Sequence, residues 1–203
     1  KAMGYKYSTK AAMTVSISDM TVPPEKPDMN RRAQHTVDEI TRQYKRGLIT
    51  EEERLEVFRA ASSFAGKTNL IAHVGAISTD EAVRYARAAM SMGFDFTAAT
   101  APFYYGFSPR EICQYYYDIA EAAGAPVLIY NFPGNTHKEF SVSDPAYVEL
   151  FRSGAILGVK QTNYNLFQME RILNLNPDLI AFNGYDETMV AGQALGCTGS
   201  IGS

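Results

Sequence analysis

The sequence predicts a parallel α/β protein wound as an incomplete (β/α)8 TIM barrel of about six strand–helix units. Three observations predict it. Six apolar or β-rich runs begin at residues 70, 96, 127, 156, 179 and 197, which are 26, 31, 29, 23 and 18 positions apart. Segments of helical periodicity lie between them, and strand, helix, strand at such spacing means parallel strands joined by crossovers. The runs are mostly uncharged, as strands covered on both faces are. Six units in succession suit a barrel better than an open sheet, and no G-x-G-x-x-G follows the first run. A doubly wound open sheet is the alternative.

The elements follow in chain order. GYKYSTKAAMTVSISDMTVPPEKP (4–27) alternates β-branched and small polar residues and stops at a proline cluster, as short strands before a turn do. Residues 28–46 and 51–65 show charged helical patterns separated by RGLIT, which predicts a helical hairpin. Thr50 with Glu53 makes a capping box, and Leu55, Phe58, Ala61, Phe64 and Ala65 line one face of the second helix. The first run, LIAHVG (70–75), precedes a helix over 80–93 that Ser78 or Thr79 can cap and Gly93 can end. FTAATAPF (96–103) precedes a helix over 108–124, with Ser108 as cap, Pro109 in the first turn and Gly124 at the end. VLIYNFP (127–133), ILGVKQT (156–162), LIAFNGYD (179–186) and CTGSIGS (197–203) complete the series.

Composition excludes several classes. A net charge of −3 argues against a chain built to coat nucleic acid, although residues 1–54 carry ten Lys/Arg against eight Asp/Glu. No apolar run approaches about 18 residues, so no membrane span is expected. Two cysteines, Cys113 and Cys197, offer neither a disulfide framework nor metal-ligand spacing, and both read as small buried residues in a reducing, cytoplasmic setting. Three scattered histidines predict no metal site, and His73 reads as a hydrogen-bonded core residue. Tyr115, Tyr116 and Tyr117 read as helix packing or an interface.

In a parallel barrel the C-terminal strand ends share one face, where reactive groups collect. Lys160 follows the apolar run GAILGV, an expensive place for an unpaired ammonium. Tyr130 lies 30 residues earlier, one strand–helix unit away, so the two fall on neighbouring strands. A dry lysine supplies free amine, which attacks a ketone to form an imine, and the protonated imine is an electron sink. A neighbouring phenol can shuttle the protons this requires. Other readings stand beside this one. A strand-end lysine can snorkel to solvent, Tyr130 can be a core residue, and Asp186 with Glu187 can be dipole partners of a helix.

A resemblance adds to these readings. Over residues 51–203 the pieces EEERLEVFRAA, IAHVG, TAPFYY, YNFPG, GVKQT, NLFQMERI, FNGYDE and GSIGS stand in the order and spacing of one family. They resemble the N-acetylneuraminate lyase branch of the dihydrodipicolinate synthase and pyruvate-aldolase family. The resemblance implies that Lys160 forms the imine with pyruvate, that Tyr130 relays protons, and that Tyr104 serves a neighbouring subunit's site. It implies that Thr162, Gly184, Asp186, Glu187 and Ser203 hold the sugar-derived part of a keto acid substrate. No cofactor is implied, since pyruvate itself is bound covalently, and the family's form is a homotetramer. Asn135, where the synthase branch has arginine, and FNGYDE favour the lyase branch.

Residues 1–54 resemble a different family, the largest (β′) subunit of bacterial RNA polymerase, so the chain reads as a chimera of a β′-like domain at 1–50 with a partial lyase-like barrel at 51–203. In the aldolase family two strands precede IAHVG, and the second carries a turn that holds the pyruvate carboxylate. No such turn precedes residue 70 here, and the chain stops at Ser203. Six strands leave an eight-stranded barrel open, because strand number, tilt and shear are linked. Residues 11–22 have the β-propensity to replace one strand. Two readings of function follow from the resemblances besides the Schiff-base lyase: a catalytically inert fragment of that family, or a polymerase-derived interaction segment.

Overall fold

A computed structural model describes residues 51–103 and 105–202. The expected strands and hairpin before residue 51, the Thr50 cap, Tyr104 and Ser203 lie outside the described residues.

Six parallel strands form one sheet: β1 (Ile71–His73), β2 (Phe96–Thr100), β3 (Val127–Asn131), β4 (Ile156–Gln161), β5 (Ile180–Asn183) and β6 (Gly199–Ser200). Their spatial order is their chain order, β1 to β6, with no point at which the order reverses. A doubly wound sheet must reverse, so that alternative falls. The fold is a curled, six-stranded half of a TIM-type barrel. Among the described residues β1 pairs only with β2 and β6 only with β5, so the curl stops short of closure.

Helices cover one face. They are α1 (Glu51–Ser62), α2 (Thr79–Ser91), α3 (Pro109–Ala123), α4 (Pro133–Thr136), α5 (Pro145–Arg152), α6 (Leu166–Leu173) and α7 (Met189–Ala194). Of the two candidates, Ser78 caps α2, its side chain accepting from the Glu81 N–H. Ser108 and Glu111 form a complete capping box at α3, and Gly124 ends it in the left-handed region at φ 63°. α1 stops three residues short of its sequence pattern. Phe58 packs against Tyr85 and Phe94, but Phe64 lies beyond the helix and is exposed.

α4 and α5 were not foreseen. Asp144 caps α5 by accepting from Ala146 N–H at 2.9 Å, with Pro145 at its first position, so SDPAYVELF carries a start signal of the usual kind. Between helices and sheet lies the core. Val127, Ile129, Val159 and Ala181 point outward from the strands and are fully buried there, with Phe140, Phe151 and Ile172 above them. Tyr115 and Tyr116 belong to this core, their hydroxyls donating to the Ala76 and Ala99 carbonyls. Cys113 and Cys197 are buried, as expected, and burial pushes the Cys113 thiol up to about 11, helped by Asp144 and Glu149.

Candidate active site

The opposite face of the sheet is concave and only partly covered, and its composition follows from strand alternation. Ala72 and Val74 face the helices, so His73 between them faces inward. On β2, Thr97 and Ala99 are fully buried, which turns Thr100 inward.

The inward placing of Lys160 has a particular cause. Val127 stands opposite Ile156, but Leu128 stands opposite Gly158, so Leu157 has no partner across the strands. This register shift of one residue continues to the strand end, where Tyr130 pairs with Lys160 and Asn131 with Gln161. Had the first pairing continued, Lys160 would stand opposite Asn131 and point at the helices, because a slip of one residue exchanges the faces.

Inside the curl, one row therefore holds Thr100, Tyr130, Lys160 and Phe182, each the register partner of the next. The Lys160 ammonium lies over the Tyr130 ring, Nζ 4.1 Å from its centroid, a cation–π contact rather than a hydrogen bond to the hydroxyl. Both side chains are half-buried. Phe132 stacks on Tyr130 with centroids 5.8 Å apart and planes 8° from parallel. His73 meets the same ring edge to face at 6.0 Å and 90°.

His73 is a correction to the sequence reading. It is exposed on the inner face and makes no hydrogen bond to a described residue; the IAHV alternation carried that signal. Low-polarity surroundings, then the Arg54 guanidinium and the Lys160 ammonium, hold its imidazole down to about 4. Solvent reaching the exposed ring tempers the first of these causes. Arg54 comes from α1, where it donates to the Gly75 carbonyl at 3.1 Å.

The remaining candidates sit at the rim above this row. Thr162 continues β4, its N–H donating to Asn131 O at 2.9 Å, and its hydroxyl is buried without a partner. Gly184 continues β5 so close that a Cβ there would fall 2.1 Å from that hydroxyl, and only glycine fits. Thr162 and Gly184 are thus brought together above Lys160. Asp186 lies one loop further on, packed against Gly202, and Glu187 beside it is exposed and bonds to none of the others. Tyr164 stacks on Tyr185 at 4.5 Å, tying the loops after β4 and β5.

Residues 47–203 match the dihydrodipicolinate synthetase family. The chain belongs to that family. Within it, the N-acetylneuraminate lyase of Rhizobium meliloti (strain 1021) is 41% identical over 143 residues, 70% of this chain and 47% of that protein. CdNal from Clostridium difficile, solved in complex with mannosamine, superposes with a TM-score of 0.73 at 32% identity over 78% of this chain and 55% of that one. A catalytic lysine mutant of Ruminococcus gnavus sialic acid aldolase superposes at 0.70 with 29% identity, covering 76% and 51%. The chain spans about half the length of the curated relatives it matches. Among the described residues of this family member, no helix is long and apolar enough to cross a membrane.

Proposed function

We propose that this chain carries Schiff-base aldolase chemistry of the N-acetylneuraminate lyase kind, cleaving or forming a 2-keto-3-deoxy sugar acid. One observation carries the reading: Lys160 and Tyr130 are register partners on the concave face, with Lys160 Nζ 4.1 Å from the centroid of the Tyr130 ring. The unprotonated Lys160 amine attacks the keto carbon and the resulting carbinolamine loses water, leaving a protonated imine. A base takes the proton of the C4 hydroxyl, the C3–C4 bond breaks, and its electrons pass to the imine nitrogen. An aldehyde leaves, C3 of the enamine takes up a proton, and water releases pyruvate. Tyr130, whose hydroxyl is not engaged by Lys160, is the proton carrier in this scheme. Thr162, with its unpartnered hydroxyl, and Gly184, Asp186, Glu187 and Ser203 form the sugar subsite, while Tyr104 joins the catalytic pair of a neighbouring subunit in a homotetramer. Borohydride reduction in the presence of pyruvate tests this directly. Expected is a stable three-carbon adduct on Lys160; an unmodified Lys160 sinks the reading.

A specific observation favours a second reading, the inert fragment. The concave face is open, with Ile71 37% and Phe103 45% exposed, so water reaches the row that aldol chemistry needs dry. Rapid amide exchange throughout residues 70–203 is its expected signature. Residues 1–50 we read as a polymerase-β′-like segment fused to the family region, a reading that rests on their sequence pieces alone. A mass spectrum from a natural source, after digestion that spares arginine, tests that junction: a peptide spanning residues 46–59 is expected, and its absence marks the fusion as artificial.

A further inference from the structure

Behind the Lys160–Tyr130 pair, on the helix side of the same two strands, three buried amides form a closed triangle. Asn131 Nδ2 donates to Gln161 Oε1 at 2.7 Å and to Gln168 Oε1 at 3.0 Å, and Gln161 Nε2 donates to Gln168 Oε1 at 3.1 Å. Gln168, on α6, is itself held by donating to Phe140 O at 2.8 Å, and Gln161 Nε2 also reaches Asn165 O at 3.3 Å. Asn131 is 1% exposed, Gln161 0% and Gln168 6%, so water cannot replace these bonds. A buried amide left unbonded is costly, which ties each amide to the other two.

The register makes this triangle more than packing. β4 meets β3 with Val127 opposite Ile156 and then, one residue shifted, with Leu128 opposite Gly158, and only the shifted register sets Asn131 opposite Gln161. In the unshifted register Asn131 would face Lys160, the triangle could not form, and an ammonium would be driven into the helix-facing core. The same one-residue choice decides which side chain stands beside Tyr130: Lys160, or the apolar Val159. We infer that the Asn131–Gln161–Gln168 triangle is the register lock of β4, and that these amides are positioning residues which hold Lys160 on the concave face against Tyr130. Its bearing on turnover rests on the aldolase reading above, but the lock itself does not.

The test reads the pair without needing catalysis. An ammonium stem over an aromatic ring has its ε-methylene signal moved upfield by the ring, so 13C-lysine labelling of the full chain reports the contact. The parent chain is expected to show one lysine signal moved upfield, assigned by its loss in Lys160→Arg. In Gln161→Met, which keeps the volume and removes the bonds, that signal is expected to return to the position of the other lysines. Ile129→Val, which loosens the same core without touching the triangle, is expected to keep the shift. Asn131→Leu removes the lock from the other strand and is read if Gln161→Met does not unfold cooperatively. A retained shift in either folded lock variant overturns the proposal, as does an unshifted Lys160 in the parent chain. A shifted signal with no borohydride-trapped pyruvate would sink the aldolase reading and leave the lock standing.

Discussion

The two faces of this sheet are built from the same strands and do opposite work. On the helix side Val127, Ile129, Val159 and Ala181 are fully buried, and Asn131 and Gln161, admitted among them, bond each other and Gln168. On the concave side His73, Tyr130, Lys160 and Phe182 remain open or half-open, with His73 edge to face on the Tyr130 ring and Lys160 in cation–π contact with it. Burial is concentrated on one face and exposed polar and aromatic groups on the other. The difference teaches that an incomplete barrel can be well packed without being closed, because most of its apolar burial lies between sheet and helices.

Substitutions that respect this division should separate activity from stability. Lys160→Ala, on the concave side, is expected to abolish pyruvate trapping while thermal unfolding stays cooperative; mass spectrometry and calorimetry read the two effects. Tyr130→Phe keeps the ring that receives Lys160 and removes only the hydroxyl. Turnover is expected to fall about 10²–10⁴-fold, the range of a lost general acid–base group, with the adduct still trappable. Equal turnover in Tyr130→Phe would take the phenol out of the scheme.

Gly158 tests whether the faces are coupled through backbone. A Cβ there would lie 1.9 Å from Ile180 O, so β5 approaches β4 as only glycine permits. Gly158→Ala is expected to destabilise by on the order of 3 kcal/mol in urea unfolding, since a strand must move. A loss below 1 kcal/mol, on that same estimate, would mean the sheet yields more readily than its packing implies.

His73 sharpens the comparison through pH. Its imidazole is held down to about 4 in the folded chain against an ordinary 6.5. Between those values the unfolded chain binds the proton and the folded chain does not, so stability falls as pH drops from 6.5 towards 4 and levels off below. The effect is smaller than full burial would give, because the ring is exposed. An NMR titration of His73 near 6.5 would show that the open face is wetter still. The smallest effect belongs to the closed face. Thr97 Oγ1 is fully buried without a partner, and Thr97→Val is expected to raise stability by about 1 kcal/mol.

Much of this was legible along the chain. Ser108, Pro109 and Gly124 announced α3 at both ends, and the run spacing announced six parallel strands, because caps and periodicity are local properties. Lys160 and Tyr130 could be placed on neighbouring strands from their separation alone. The short α4 was missed because four residues carry no periodicity, and His73 was misplaced because its apolar neighbours outweighed their alternation. Gln161 and Gln168 drew no notice, since a glutamine beside apolar residues reads as surface until its partners are known.

What the sequence by itself determined is the order of elements, their parallel sense, and the presence of an amine and a phenol one unit apart. Each follows from short-range preference: where a helix starts, where it stops, and how often apolar residues recur. Only the tertiary structure decided that Lys160 looks inward. That depends on one unpaired residue, Leu157, and on whether Asn131 meets Gln161 across the strands. Register is set by contacts among residues distant in the chain, and a single step in it exchanges the two faces of a sheet.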